Sequence, residues 1–202
     1  MELFHKSGPP AWLVVGLGNP GREYEFTRHN AGFLCVDLLA ERCGAKLNKL
    51  KFHALLGSAV LGGQPCLLLK PQTWMNDSGL SVAEAARFYQ IPPERVLVIF
   101  DDISLSCGRL RIRRQGSDGG HNGVKSVTAR LGSAGFPRIK LGVGDRSHPD
   151  FDLRDWVLSA MGKDELLALR KACDQGCEAA EMILQGKIDS AMAAFNGAGP
   201  EK

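Results

Sequence analysis

The stretch Leu13-Val-Val-Gly-Leu-Gly-Asn-Pro-Gly21, running on to Thr27-Arg-His-Asn-Ala-Gly32, decides how the chain is read. Leu13 to Val15 is a short apolar run, the pattern of a buried strand, and Gly16, Gly18, Asn19, Pro20 and Gly21 break it at once. Glycines at the end of a buried strand let backbone and small polar groups reach the mouth of a sheet, where a ligand can come close. His29 and Asn30 then stand at the entrance of a helix. Its Val36, Leu39, Ala40 and Cys43 fall at i, i+3, i+4 and i+7, one buried stripe. An asparagine in the glycine turn and a histidine at the helix entrance are placed to share one pocket.

Outward from that stretch, strand and helix patterns alternate. Ala54 to Val60 and Cys66 to Leu69 flank Gly62-Gly63, a hairpin signal. The polar loop Lys70-Pro-Gln-Thr-Trp-Met-Asn-Asp-Ser-Gly79 leads into a helix with Val82, Ala85, Ala86 and Tyr89 on one stripe. Ser81 and Glu84 offer it a capping box, and Asn76 to Ser78 are competing caps. Val96 to Phe100, after Pro92-Pro93, is the most hydrophobic strand, and it delivers Asp101 and Asp102 at its carboxyl end. Arg109, Arg111 and Arg113 alternate with Leu110 and Ile112, the period of a strand with one apolar and one cationic face. The loop Gly116-Ser-Asp-Gly-Gly-His-Asn-Gly123 precedes a helix through Val127 and Leu131. Arg138 to Val143 reads as a strand, and Gly144 to Asp152 as a mobile surface loop. A long helix then buries Leu169, Cys173, Gly176, Cys177, Ala180, Ile183 and Leu184, and a short one carries Ile188, Ala191, Met192 and Phe195. This alternation predicts an α/β fold: a single-domain three-layer sandwich with a mixed, mostly parallel central sheet flanked by helices. The domain is expected over residues 11–196, between a flexible N-terminal tail (1–10) and a C-terminal tail (197–202).

Composition narrows the class. A chain of 202 residues with 44% hydrophobic and 23% charged side chains can bury one sizeable core. No run is long enough to span a bilayer. Met1 to Pro10 has neither the apolar centre of a signal peptide nor the arginines of a transit peptide, so a cytoplasmic protein is expected, or one of an organelle interior if a transit peptide has been removed. Six cysteines with no C-x-x-C pair and no flanking histidines read as reduced, structural residues. A net charge of +3 does not by itself argue for nucleic acid.

Asn19, His29, Asn76, His121-Asn122 and Asp101 each place a polar group beside glycine or at the end of an element. Singly, each reads as a turn former, a cap or a structural histidine. Together they supply a base, an orienting carboxylate and neutral hydrogen-bond groups, the set that hydrolysis of an ester requires without a metal. No G-x-S-x-G elbow and no cysteine in a glycine turn offers a nucleophile, so water activated by His29 is the economical mechanism. Gly16-Leu-Gly-Asn-Pro-Gly21 does match G-x-G-x-x-G. However, Arg22 to Phe26 intervene before the helix, and Asp37 lies inside that helix instead of at a second strand end. Nicotinamide or flavin binding is not expected, and no cofactor or metal is assigned. The arginine strand has two readings: a solvated edge, or a phosphate track formed with Arg114, Lys125, Arg130, Arg138 and Lys140.

Gly16 to Gly21, Thr27 to Gly32, Lys70 to Asn76 with Ser78-Gly79, Asp101-Asp102 and Gly119-Gly-His-Asn-Gly123 together resemble bacterial-type peptidyl-tRNA hydrolase, in that family's order and from Leu13 to Phe195. The resemblance implies a monomeric α/β enzyme that cleaves the ester between a peptide and the terminal ribose of tRNA. By the same resemblance His29 is the catalytic base, Asp101 the carboxylate that orients it, and Asn19 the residue that separates blocked from free aminoacyl groups. Tyr24, Trp74, Asn76 and Asn122 contact the substrate, and Arg113 and Lys140 clamp the tRNA 5′-phosphate. Two departures stand out. Trp74 replaces the usual Phe or Tyr, and Ile103-Ser-Leu-Ser-Cys-Gly108 makes the turn after Asp101 less acidic than is common. The alternative is a non-catalytic relative, an RNA-binding factor in group II intron splicing, since such proteins can retain the same residues.

Overall fold

Strands buried on both faces come from continuous apolar runs, and this chain has them at its centre. In the computed structural model, which describes residues 8–146 and 150–197, β1 (Trp12–Gly16), β4 (Gln64–Pro71), β5 (Val96–Asp102) and β7 (Arg138–Gly142) lie parallel. β2 (Lys49–Lys51), β3 (Ala54–Leu61) and β6 (Leu110–Arg113) pair antiparallel, giving seven strands in the order β2-β3-β4-β1-β5-β7-β6. Helices α1 (Ala31–Arg42), α5 (Lys163–Leu184) and α6 (Ile188–Phe195) cover one face through Val14, Leu68, Leu97 and Ile99. α2 (Ser78–Tyr89) and α3 (Asn122–Leu131) cover the other through Leu13, Val15, Leu67, Val98 and Phe100. This is the expected three-layer sandwich with a mixed sheet. Residues 1–7 and 198–202 of the expected tails, and residues 147–149 of the expected loop, lie outside the described residues.

Both sheet edges are guarded. β2 is short and exposed, with Lys49 and Lys51 pointing outward. On β6 the Asn196 side chain accepts from the Ile112 N–H at 2.6 Å and donates to its carbonyl at 3.2 Å, occupying the edge as a neighbouring strand would.

Some local readings change. The Ser81–Glu84 capping box does not form: Ser81 lies inside α2 and its hydroxyl donates to the His53 carbonyl at 2.9 Å, while Asp77 takes the cap position. The apolar stripe of α1 is wider than one row, because Cys35 and Leu38 are buried as well as Val36, Leu39 and Ala40. α1 is wedged between the sheet and α5, so it needs more than one apolar face. The periodicity also passes over β2 and a short helix, α4 (Leu153–Leu158), capped by the Asp152 carboxylate on the Arg154 N–H at 2.7 Å. All six cysteines are free thiols, four of them buried. Burial pushes the Cys66 thiol up to about 12.

The chain leaves β1 for α1 on one face and β4 for α2 on the other. The carboxyl ends of these neighbouring strands therefore open a crevice, the usual place for a ligand in such a sheet.

Candidate active site

Close backbone approach builds the crevice. A Cβ on Gly16 would overlap the Gly32 carbonyl, and one on Gly32 would overlap backbone atoms of Ile99 and Leu17. Only glycine lets the first turn of α1 sit on the ends of β1 and β5. That seating brings His29, in the 3-10 turn Arg28–Asn30 just before α1, over the end of β5.

Strand alternation then separates two consecutive aspartates. Asp101 follows Ile99 onto the α1 face, and Asp102 follows Phe100 onto the α3 face. Asp101, 3% exposed, has both carboxylate oxygens 3.0 Å from His29 Nδ1. Asp102 instead lies 2.8 Å from Lys140 Nζ.

A second histidine completes the set. His121 Nε2 is 2.9 Å from Asp101 Oδ1, and its Nδ1 accepts the Val124 N–H at 3.3 Å as the cap of α3. An acceptor Nδ1 requires the proton on Nε2, so His121 donates to Asp101 and has no lone pair left for chemistry. His29 differs. Its Nδ1–H is directed to Asp101, which leaves the Nε2 lone pair available as a base. In the sequence His121 stands out only as part of a glycine loop, because its bond to Asp101 depends on a meeting of β5 and α3 that no local pattern carries.

The electrostatics follow from this geometry. Burial works against the His29 imidazolium, but the adjacent Asp101 carboxylate outweighs it and holds the ring's pKa above its ordinary 6.5. Burial alone would raise Asp101; two imidazoles hydrogen-bonded to it hold it far below the usual carboxylate range. His29, Asp101 and His121 are the one cluster of metal-ligand type among the described residues. A metal there would have to displace the proton that the Val124 N–H fixes on His121 Nε2, so this donor set suits a hydrogen-bonded chain better than a metal.

These groups line a cavity of about 700 Å³, with Asn19, Tyr24, Trp74, Asn76, Asn122 and Lys140 on its walls. Asn19 is less free than its turn position implies. Its Oδ1 accepts the Met75 N–H at 2.8 Å, and its backbone N–H and carbonyl are bridged by the Asn30 amide at 2.8 and 3.0 Å. It therefore ties the glycine turn to the Trp74–Asn76 turn while facing the cavity. Tyr24 and Trp74 meet edge to face at 5.8 Å. Arg113 is not on the cavity wall; it is exposed on edge strand β6, paired in register with Arg138.

Arg138 leaves the cationic track altogether. It is fully buried, and its guanidinium donates to the carbonyls of Gly116, Ser117, Ala134 and Phe136 at 2.9–3.4 Å, pinning the loop that leads to His121. Arg114 is bound to Asp189.

Leu153, Arg154, Val157 and Leu158 of α4 form a wall that sequence reasoning missed. Trp156 lies 3.6 Å under the Arg28 guanidinium, which also reaches Glu165 at 2.6 Å and Ser159 Oγ at 2.7 Å. A side chain adjacent to His29 thus fastens this wall.

An α/β sandwich that holds an imidazole on a buried carboxylate, in a crevice ringed by amides, is equipped as a hydrolase. Comparison with known proteins makes the class specific. The family model described as peptidyl-tRNA hydrolase matches residues 13–202. Peptidyl-tRNA hydrolase of Lachnospira eligens is 48% identical over 186 residues, 92% of this chain and 100% of that protein. That of Alkaliphilus metalliredigens is 48% identical over 187 residues, with the same coverage of both chains. The crystal structure of peptidyl-tRNA hydrolase from Acinetobacter baumannii superposes with a TM-score of 0.88 at 36% identity, covering 94% of this chain and 96% of that one. The chain belongs to the peptidyl-tRNA hydrolase family, and its reaction is hydrolysis of the ester bond of peptidyl-tRNA. Nothing in these likenesses supports the splicing alternative.

Proposed function

We propose that His29 is the general base of this hydrolysis and Asp101 the group that fixes its tautomer. Nε2 takes a proton from water as the water attacks the ester carbonyl, and the buried Asp101 carboxylate stabilises the imidazolium that forms. Asn76 and Asn122 hold the peptide and the developing negative charge between them. Asn19, presented as a neutral group, favours a blocked amine, because a free α-ammonium would leave amide partners mispaired. Tyr24 and Trp74 contact the substrate beside it. Lys140 and Arg113 bind the 5′-phosphate of the acceptor end; their shared cationic face of β6 and β7 supports that reading. The enzyme acts as a monomer, as the family resemblance implies, and in the cytoplasm, the compartment expected from its sequence; no helix among the described residues is long and apolar enough to cross a membrane.

The observation that carries the proposal is the pair of 3.0 Å approaches between His29 Nδ1 and Asp101 on the cavity wall. The test is release of tRNA from an N-acetylaminoacyl-tRNA by the His29→Ala protein. Turnover is expected to fall by about 10²–10⁴ with tRNA affinity retained. Turnover equal to the parent's would remove His29 from the chemistry.

A further inference from the structure

Arg28 stands one residue before His29, and its side chain reaches to the α4 wall. The guanidinium lies 3.6 Å from the centre of the Trp156 ring. It donates to Ser159 Oγ at 2.7 Å, to the Ser159 and Ala160 carbonyls at 3.3 Å and to Glu165 at 2.6 Å. The backbone follows the same seam. Thr27 pairs with Ala160 as an antiparallel bridge, the Arg28 N–H donates to the Ser159 carbonyl at 3.3 Å, and the Met161 N–H donates to that of Phe26 at 3.0 Å. α4 itself is lightly held: none of its six residues is buried, and the Trp156 indole N–H donates to the Gly144 carbonyl at 3.0 Å. With so little burial, the stack on Arg28 is a principal support of its seat. Neither Arg28 nor Trp156 lines the cavity.

Arg28 is an expensive way to join two segments. It is 4% exposed, and its Nε has no hydrogen-bond partner. An apolar side chain of similar volume would hold the seam at lower cost. What a planar guanidinium adds is direction, because stack and fork together fix α4 relative to the turn that carries His29. That turn has little slack. On its far side Asn30 is tied to the Asn19 backbone and His29 to Asp101.

We propose that Arg28 is a positioning residue for the hydrolysis: through Trp156 it sets the α4 wall, and through its own backbone it sets the His29 imidazole, so that wall and base are held in one register. The inference rests on the reading of His29 as the base. A wall that only confined the substrate would act equally on bound substrate and transition state, and loosening it would raise KM with kcat unchanged. A wall coupled to the base does more. The imidazole must stay within hydrogen-bond reach of the attacking water, and a displacement of about 1 Å can cost on the order of 10²-fold.

The test is steady-state hydrolysis of an N-acetylaminoacyl-tRNA by full-chain Trp156→Leu, Arg28→Lys and the double variant, each below its own melting transition. Arg28→Lys keeps the charge and loses the fork and the stack. Each single variant should lower kcat by about 10–100-fold, and the double variant should fall no further than the slower single one, because both remove the same linkage. Trp156→Phe, which keeps a ring under the guanidinium, should recover most of the rate. In a His29→Ala background the further loss from Trp156→Leu should vanish, since no base is left to displace. Should Arg28→Lys not fold, the Trp156 variants carry the test, because they alter a helix with no buried residue. A raised KM with kcat unchanged in Trp156→Leu, or an undiminished loss in the His29→Ala background, overturns the coupling and leaves the base reading standing. Parent-level turnover in His29→Ala alone overturns the base reading beneath it.

Discussion

Asp101 receives hydrogen bonds from two histidines that do different work, and the difference is one of tautomer. His121 is locked by the Val124 N–H, so it can orient the carboxylate but cannot take a proton. His121→Ala should therefore lower kcat by about tenfold, the worth of one charge-assisted hydrogen bond, and by less than removal of His29. A steady-state assay of both variants would order them. The raised pKa of His29 has two consequences of opposite sense. If His29 is the base, as proposed, the reaction needs its neutral ring, so activity should climb as pH rises through a value above 6.5. Stability runs the other way: the contribution of protonated His29 is complete below its unfolded pKa and is lost as pH rises through the folded one. Asp101, held low, contributes stability above the ordinary carboxylate pKa and loses it as pH falls. His29 and Asp101 were legible in the sequence because each stands at the end of an apolar element. The bonding of His121 was not, since β5 and α3 meet only in the folded chain.

At the scale of elements, the glycines of β1 and α1 are what seat His29. Gly32→Ala would drive a methyl group into the backbone of Ile99 and Leu17, neither of which can rotate away. Overpacking of this kind costs about 1–3 kcal/mol or more. At roughly 2–4 °C per kcal/mol for a chain of this length, thermal unfolding should shift down by several degrees, with activity falling further than stability alone explains. An unshifted melting curve would mean that α1 seats differently. Arg138→Met, which leaves four loop carbonyls without their donor, should likewise lower the melting temperature. α4 is silent in the sequence because six residues hold too little periodicity, and what fixes it is remote, the Arg28 guanidinium on Trp156.

For the molecule as a whole, the strands and the two-sided burial could be read from apolar runs, but the strand order could not, because it is set by pairings between distant segments. The cationic face was legible as a period and misjudged in membership. Arg138 is spent inside the fold and Arg114 on Asp189, and Lys140 is already bonded to Asp102; Arg109, Arg111, Arg113, Lys125 and Arg130 of that set have no carboxylate partner among the described residues. Replacing Arg113 or Lys140 by Gln should weaken tRNA binding. The dependence of affinity on salt concentration, measured for each variant, should flatten by about 0.7–0.9 for every phosphate no longer neutralised. The most direct test of the whole account is the pH profile of kcat/KM on N-acetylaminoacyl-tRNA for the parent and Asp101→Asn proteins. The parent should show an ascending limb with its midpoint above 6.5. In Asp101→Asn the midpoint should move to lower pH, because burial then acts on His29 without the opposing carboxylate, and the plateau should fall. Superimposable profiles would contradict the account, since they would mean that Asp101 does not hold the base.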